Sequence, residues 1–237
     1  TLPYAALVLD GLIERLALKQ VVFSAWGVRE GLLFEALKDV IGPADPLLAG
    51  AEALGARQNV SPSLWKALPD WIAPAMAAAP AAFGPERDAL LAQAAARLAD
   101  LGARLHTDHR VELVFEQILR APIPGQTHAE RAFLATTLNA RYGGGEATPQ
   151  PALVERLLTP EQRSRARILG LAIRLGCDLS GRSTELLANA RLSIGPDGLR
   201  LAASETYADL LLGEQARRRA RALADAMGLT LQLQDAA

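Results

Sequence analysis

The sequence predicts a mainly α-helical fold that opens with an α/β fragment and closes with a small β-β-α-β unit. Half of the 237 residues are apolar, yet only 5% are aromatic, and alanine and leucine predominate. These two residues lose little free energy in a helix interior, so the composition favours helices. Helix-start signals recur through the middle of the chain, whereas strand-like alternation of apolar residues appears near its C-terminal end.

The first segment, residues 1–42, is expected to be the end of a larger α/β domain. Apolar residues at helical spacing predict a first helix: Leu9, Leu12, Ile13 and Leu16. Residues 21–23, Val-Val-Phe, predict a short buried strand, because β-branched and aromatic side chains suit a pleated sheet. A second helix is predicted over residues 28–40. One strand does not make a stable sheet, and the chain begins with Thr1 rather than Met, so it is expected to be an excised part of a longer protein.

The second segment, residues 43–185, is expected to be a helical domain. Residues 45–46, Asp-Pro, combine a helix-capping side chain with a proline at the first helical position. Residues 127–130 and 159–162, Thr-His-Ala-Glu and Thr-Pro-Glu-Gln, have the spacing of a capping box. Apolar residues at helical spacing follow each start, so several packed helices are predicted.

The third segment, residues 186–237, is expected to be a small β-β-α-β unit. Gly-Pro-Asp-Gly at 195–198 separates two apolar runs and predicts a hairpin. A helix is predicted over residues 214–227, and Leu-Thr-Leu-Gln-Leu at 229–233 alternates like a strand.

The composition also bears on compartment and partners. No apolar stretch approaches the ~20 residues that cross a bilayer, and no signal peptide is visible. The single Cys177 rules out an intramolecular disulfide and suits a reducing compartment, so a cytoplasmic location is expected. The net charge is −1, and Trp26, Trp65 and Trp71 are too far apart for a base-stacking platform. We therefore expect no DNA partner and no membrane partner.

A run of arginines is the clearest candidate for anion binding. It consists of Arg217, Arg218, Arg219 and Arg221. A solvated helix face is the ordinary interpretation of such a run. The alternative is a phosphate-binding patch, because a guanidinium offers a bidentate fork to phosphate.

Histidines and carboxylates cluster before one predicted helix and raise the possibility of a metal site. Asp100, His106 and His109 are the candidate ligands, since imidazole and carboxylate both bind first-row metals. The residues between the histidines, Thr107 and Asp108, are equally well explained as a helix cap, and this structural interpretation is favoured. No glycine-rich phosphate loop and no nucleophile-elbow sequence is present, so spacing alone predicts no enzyme.

Three segments resemble the family of exopolyphosphatases and guanosine pentaphosphate (pppGpp) phosphohydrolases. Residues 24–33, Ser-Ala-Trp-Gly-Val-Arg-Glu-Gly-Leu-Leu, are similar to the family motif S-x-x-G-[LV]-R-E-G-L-L. The other two matching segments are residues 98–110 and 118–142. The run Arg-Glu-Gly-Leu-Leu is the most specific of these matches.

The resemblance implies a fold and a parent activity. Residues 1–42 would finish the second lobe of an actin-like phosphotransferase fold, and residues 43–185 would form a helical domain similar to HD-type phosphohydrolases. The parent enzyme would hydrolyse the terminal phosphate of polyphosphate or of pppGpp with a divalent cation such as Mg²⁺. The family's catalytic carboxylates and phosphate loops belong to the N-terminal lobes, so no catalytic residue is carried over to this chain.

The resemblance further implies a non-catalytic role. HD hydrolases use a His-Asp dyad, whereas the matching positions here are Ala99 and Asp100, which removes one metal ligand. The chain is therefore expected to hold polyphosphate and to form a homodimer. The polyphosphate-binding candidates are Arg110, Arg120, Arg217, Arg218, Arg219 and Arg221.

Two other hypotheses stay open. The first is a degenerate HD-like signalling or interaction module with no phosphate substrate. The second is an autonomous metal phosphohydrolase that uses Asp100, His106 and His109.

Overall fold

The computed structural model describes residues 2–24, 26–41, 44–57 and 62–236. The chain divides into two units, Thr1–Pro43 and Ala44–Ala237. Among the described residues, no helix is long and apolar enough to cross a membrane.

The described part of the first unit contains two helices, α1 (Leu2–Leu16) and α2 (Val28–Ile41). The strand predicted over residues 21–23 is not formed, since these residues have no regular secondary structure. A strand requires a hydrogen-bonded neighbour, and no strand is found in the described part of this unit. The apolar side chains of α1 remain exposed, including Leu2, Leu7 and Leu16.

The second unit is mainly helical, as the sequence predicts. Its helices are α3 (Pro46–Ala56), α4 (Pro62–Ala78), α5 (Pro85–Leu98), α6 (Arg110–Arg120), α7 (His128–Arg141), α8 (Pro151–Leu157), α9 (Pro160–Leu179), α10 (Thr184–Ala188), α11 (Ala208–Leu211) and α12 (Glu214–Met227). A short 3₁₀ helix over Glu205–Tyr207 precedes α11.

The predicted helix starts are confirmed. Asp45 Oδ1 accepts the N–H groups of Leu47 and Leu48 at 2.9 and 3.2 Å. Capping boxes begin α7 and α9, where a threonine side chain and the third residue of the helix satisfy each other's backbone N–H. These bonds fix the first turns, whose N–H groups have no partner within the helix.

Helices α7 and α9 form the centre of the core. Both are buried on most faces, and they pack against each other and against α4, α5, α6, α8 and α12. Gly170 of α9 permits this close contact, because a Cβ at that position would collide with the carbonyl oxygen of Thr137 in α7. The ends of α7 and α9 are therefore held at fixed positions in the unit.

A three-stranded sheet follows, with strands β1 (Ala190–Gly195), β2 (Gly198–Ser204) and β3 (Leu231–Ala236) in the order β1-β2-β3. β1 and β2 are antiparallel and β2 and β3 are parallel, with α12 as the crossover. The predicted β-β-α-β order is confirmed.

The sheet belongs to the same unit as the helices. β1 packs on α4, where Trp71 Nε1 donates to the carbonyl of Ala190 at 2.8 Å, and α12 packs on α9. Residues 44–237 form one compact unit. This packing brings α12 and its arginines to the end of α9.

Candidate anion-binding site

Three segments that are distant in sequence converge at one end of the helical core. Asp100 lies two residues after α5, Arg141 ends α7, and Asp178 lies in the last turn of α9. The C-terminal end of a helix carries a partial negative charge, which repels a carboxylate and attracts a guanidinium. Asp178 is therefore poorly placed unless cations compensate its charge.

The buried Arg141 guanidinium provides part of this compensation. Its Nη2 lies 3.7 Å from Asp100 Oδ1 and its Nη1 lies 3.5 Å from Asp178 Oδ1, with only 5% of the Arg141 side chain exposed. Its Nε has no hydrogen-bond partner. Charges removed from water lose hydration energy, so such a group is stable only when opposite charges surround it.

Further arginines reach the same two carboxylates. Arg219 of α12 donates from Nε to Asp178 Oδ2 at 2.8 Å. Arg174 Nε lies 3.8 Å from the same oxygen, and Arg182 Nε lies 3.0 Å from Asp100 Oδ1. We call these six residues the arginine cluster: Arg141, Arg174, Arg182, Arg219, Asp100 and Asp178. Four positive charges face two negative charges, so the cluster has an excess of two positive charges.

Arg174 is affected both by burial and by the neighbouring positive charges. Burial, followed by the charge of Arg219, lowers the pKa of Arg174 to about 10, while Asp178 opposes the shift. The charges of Arg141 and Arg218 lower it further, so Arg218 also contributes to the field at this site. An anion bound at the cluster would relieve this repulsion.

The outer arginines of the cluster are open to solvent. Arg182 is 45% exposed, and Arg174 and Arg219 are partly exposed. A glycine loop follows α7, and a Cβ at Gly143, whose φ is +94°, would lie 2.6 Å from Arg174 Nη1. Gly143 thus leaves the space that the Arg174 guanidinium occupies. Arg182 is therefore the member of the cluster that is most open to an anion from solvent.

Uncharged groups beside the cluster are firmly held. The Tyr142 hydroxyl donates to the carbonyl of Ala99 at 2.7 Å and accepts the N–H of Gly102 at 2.8 Å. Burial raises the pKa of Tyr142 to about 12. Burial also raises the pKa of the Cys177 thiol, so Cys177 is a neutral packing residue.

The arginines predicted on α12 separate into two groups. Arg219 belongs to the cluster and Arg218 is close enough to influence it. Arg217 donates from Nε to the carbonyl of Leu212 at 2.6 Å, and Arg221 is exposed on the helix surface. The run covers several helix faces, and Arg219 is the member that contacts the cluster.

The two other predicted arginines lie on α6, outside the cluster. Arg120 pairs with Glu116 at 2.9 Å, and its side chain is exposed. The Arg110 guanidinium lies 5.8 Å from the centre of the Tyr142 ring.

The three candidate metal ligands are not brought together. Asp100 pairs with arginines, whereas His106 and His109 are exposed before α6 with ring centres 6.1 Å apart. His106 Nδ1 faces Asp108 Oδ2 at 3.7 Å. Within the described ranges, no three His, Cys, Asp or Glu side chains are grouped so that they could hold a metal ion.

Sequence reasoning missed four members of the cluster: Arg141, Arg174, Arg182 and Asp178. A signal was present, because Arg174 and Asp178 lie four residues apart within an otherwise apolar part of α9. Charged residues in such a stretch are rarely buried without partners. Their partners, however, lie on other helices.

The fold and the site define a mainly helical domain with a part-buried, net-positive arginine cluster. The family model described as "Exopolyphosphatase, C-terminal" matches residues 47–234. The chain therefore belongs to the exopolyphosphatase C-terminal family, as the resemblance indicates. No curated protein matches the chain.

Proposed function

We propose that this chain is a non-catalytic C-terminal region of an exopolyphosphatase-family enzyme and that it holds the enzyme's polyanionic substrate. The carrying observation is the arginine cluster, in which four guanidinium groups surround two carboxylates at a partly open site. Membership of the exopolyphosphatase family suggests a phosphate-chain substrate. The excess positive charge of the cluster would attract such an anion.

The cluster has the chemistry to bind a phosphate chain. Arg174, Arg182 and Arg219 each keep N–H groups that their carboxylate partners do not use, since a guanidinium carries five donors. Asp100 and Asp178 hold these side chains in place, so little rotamer entropy is lost when an anion binds. Arg218 and Arg221 on the same helix would extend the positive surface for a longer chain.

The chemical step belongs, in this proposal, to the rest of the parent enzyme. That enzyme would cleave the terminal phosphoanhydride of polyphosphate or pppGpp with Mg²⁺, using an actin-like fold that the first unit completes. The parent would act in the cytoplasm, in keeping with the single reduced Cys177.

The helical unit is, in the same proposal, an HD-like domain that has lost its metal. Ala99 stands before Asp100 in place of the dyad's histidine, and the Arg141 guanidinium lies between Asp100 and Asp178. A fixed guanidinium between two carboxylates leaves no room for a divalent cation at that point and supplies positive charge itself.

The first test is binding of polyphosphate to the whole chain at several salt concentrations, measured by calorimetry. The variant Arg174→Gln with Arg182→Gln removes two charges from the cluster. A charge-assisted hydrogen bond contributes about 1.5–3 kcal/mol, less where water screens it, so we expect at least a ~10-fold loss of affinity. Binding should also weaken steeply with salt.

The matched control, Arg156→Gln with Arg191→Gln, removes two exposed arginines outside the cluster and should bind like the original chain. The variant Arg217→Gln with Arg221→Gln tests whether the outer surface of α12 contributes to the affinity for polyphosphate. Equal loss in the control and the cluster variant would refute a localised site. No binding at low salt would favour the interaction module without a phosphate substrate.

A second test concerns the non-catalytic assignment. The purified chain should release no phosphate from polyphosphate or pppGpp in the presence of Mg²⁺. Turnover that follows the chain through repurification and scales with its concentration would favour an autonomous hydrolase instead.

A further inference from the structure

Arg182, the most exposed member of the arginine cluster, has a strained backbone. Helix α9 ends at Leu179, and Gly181 and Arg182 then both lie in the left-handed region, with φ of +55° and +70°. Glycine adopts this conformation freely, whereas a residue with a Cβ loses free energy there. Among the described residues, Arg182 and Ala17 are the non-glycine residues with positive φ. Backbone strain of this kind is concentrated at functional sites.

The turn after α9 does not itself require an arginine. The Arg182 N–H donates to the carbonyl of Cys177 and to Ser180 Oγ, both at 3.2 Å, and Ser183 then caps α10. The bonds at position 182 involve its backbone N–H alone, so glycine or asparagine could make them with less strain. The presence of an arginine at this position is therefore explained by its side chain.

The Arg182 side chain makes a contact with Asp100 that is not a hydrogen bond. Its Nε lies 3.0 Å from Asp100 Oδ1, yet that oxygen has no hydrogen-bond partner, so the two groups attract each other by charge alone. By contrast, Arg219 Nε donates a hydrogen bond to Asp178 Oδ2 at 2.8 Å. Asp100 also faces Arg141, whose Nη2 lies 3.7 Å from the same oxygen. Asp100 would therefore keep a positively charged partner if Arg182 turned away from it.

We propose that Arg182 takes up the anion at the arginine cluster and exchanges its contact with Asp100 for one with a phosphate group. This inference rests on the proposed function. In the free chain Arg182 rests against Asp100. In the bound chain its guanidinium turns to a phosphate oxygen on the solvent side and donates to it the hydrogen bonds that it does not make to Asp100.

This exchange selects among anions by their charge. A ligand must compete with the Asp100 carboxylate for Arg182, and the cluster sets four guanidinium groups against two carboxylates. A multiply charged phosphate such as pyrophosphate gains from the whole excess of positive charge, whereas acetate carries one charge, like Asp100 itself. Pyrophosphate and polyphosphate therefore bind, and acetate binds far more weakly.

The first measurement is nuclear magnetic resonance of the arginine Nε–H groups in the isotope-labelled whole chain during titration with pyrophosphate. The Arg182 signal should shift saturably together with those of Arg174 and Arg219. Acetate at equal ionic strength should shift it far less, and an equal response to acetate would overturn the inference. If Arg174 and Arg219 respond to pyrophosphate and Arg182 does not, the inference fails and the anion site stands. If none of the three responds, the proposed function fails as well.

Two variants separate the role of the Arg182 side chain from that of its backbone. Arg182→Asn and Arg182→Gln both remove the charge, and both should weaken pyrophosphate binding by roughly tenfold. Asparagine adopts the left-handed conformation more readily than glutamine, so Arg182→Asn should unfold at a higher urea concentration than Arg182→Gln.

The matched control is Arg156→Asn, which removes an exposed arginine of α8 outside the cluster and should leave pyrophosphate binding unchanged. Unchanged affinity in both Arg182 variants would overturn the inference and leave Arg182 as a structural residue. Equal stability of the two variants would contradict the backbone strain on which the inference depends.

Discussion

Asp178 has two opposed effects on anion binding at the scale of single residues. Its carboxylate lies within 3.8 Å of guanidinium nitrogens of Arg141, Arg174 and Arg219. It therefore orients the donors that an anion would use, and it also competes with that anion for them. Which effect dominates is decided by removing the charge while keeping the shape.

Asp178→Asn should raise the affinity for polyphosphate and lower the stability of the chain. A lost negative charge increases the excess positive charge of the cluster, and each 1.4 kcal/mol gained in binding corresponds to about tenfold in affinity. The buried arginines lose a partner, which costs stability. Calorimetric binding and urea unfolding measure the two effects, and a fall in affinity would show that orientation is the larger effect.

Tyr142 gives a pH dependence whose sign follows from its pKa, which burial raises from the ordinary value of 10.0 to about 12. Below pH ~10 the phenol is protonated in both the folded and the unfolded chain, so its contribution to folding stability is fully present. As the pH rises from ~10 to ~12, the unfolded chain loses its phenolic proton first, and folding stability falls.

The measurement compares urea unfolding of the original chain and Tyr142→Phe across this pH range. The difference in the free energy of unfolding between the two chains reports on Tyr142 alone. Arg174, whose pKa shift has the opposite effect on stability, is present in both chains. We expect the stability advantage of the original chain, which includes two hydrogen bonds to Ala99 and Gly102, to shrink above pH ~10. A pH-independent difference would contradict the raised pKa.

At the scale of elements, helix starts and the β-β-α-β order were predictable because each depends on residues a few positions apart. A capping box needs four residues, and the hairpin needs a turn between two apolar runs. The prediction of a strand over residues 21–23 was wrong, because side chains that favour a strand do not by themselves supply a neighbouring strand to pair with. Local sequence signals predict the type and position of an element, whereas packing against other elements decides whether it forms.

The contact of α7 with α9 should be sensitive to one methyl group. Alanine normally improves a helix interior over glycine by ~0.5–1 kcal/mol. At Gly170 the added Cβ meets the Thr137 carbonyl, so Gly170→Ala should instead destabilise by roughly 1–3 kcal/mol. Gly31→Ala in α2, where nothing lies within 4 Å, is the control. Urea unfolding that shows no loss for Gly170→Ala would argue against this close packing.

At the scale of the whole molecule, the arginine cluster was not predictable from local patterns. Asp100, Arg141 and Asp178 lie on separate elements, and only the packing of α5, α7 and α9 brings them together. Of the six arginines predicted to bind phosphate, Arg219 is in the cluster and Arg218 acts on it. The composition of the site was partly visible in the sequence, whereas its geometry required the fold.

The exposed apolar surface of the first unit predicts self-association. Large side chains of this unit are exposed by half or more: Leu2, Tyr4, Leu7, Val8, Leu16, Val22, Phe23, Leu32, Leu33 and Phe34. Many large apolar side chains exposed in this way favour association with another chain. Analytical sedimentation should show dimers for the whole chain and monomers for a chain that begins at Ala44. Monomers in both cases at tens of micromolar would contradict the homodimer that is expected from the sequence.

The crowding of like charges at the arginine cluster has a consequence for how the chain folds. Arg174 from α9, Arg219 from α12 and Arg141 from α7 come together only when these helices pack, and the charges of Arg219 and Arg141 both lower the pKa of Arg174. An anion that bridges them stabilises the folded chain over the unfolded one by mass action. In urea unfolding, millimolar sulfate should therefore raise the free energy of unfolding of the chain. Chloride at equal ionic strength should do so much less, since it bears one charge and cannot bridge.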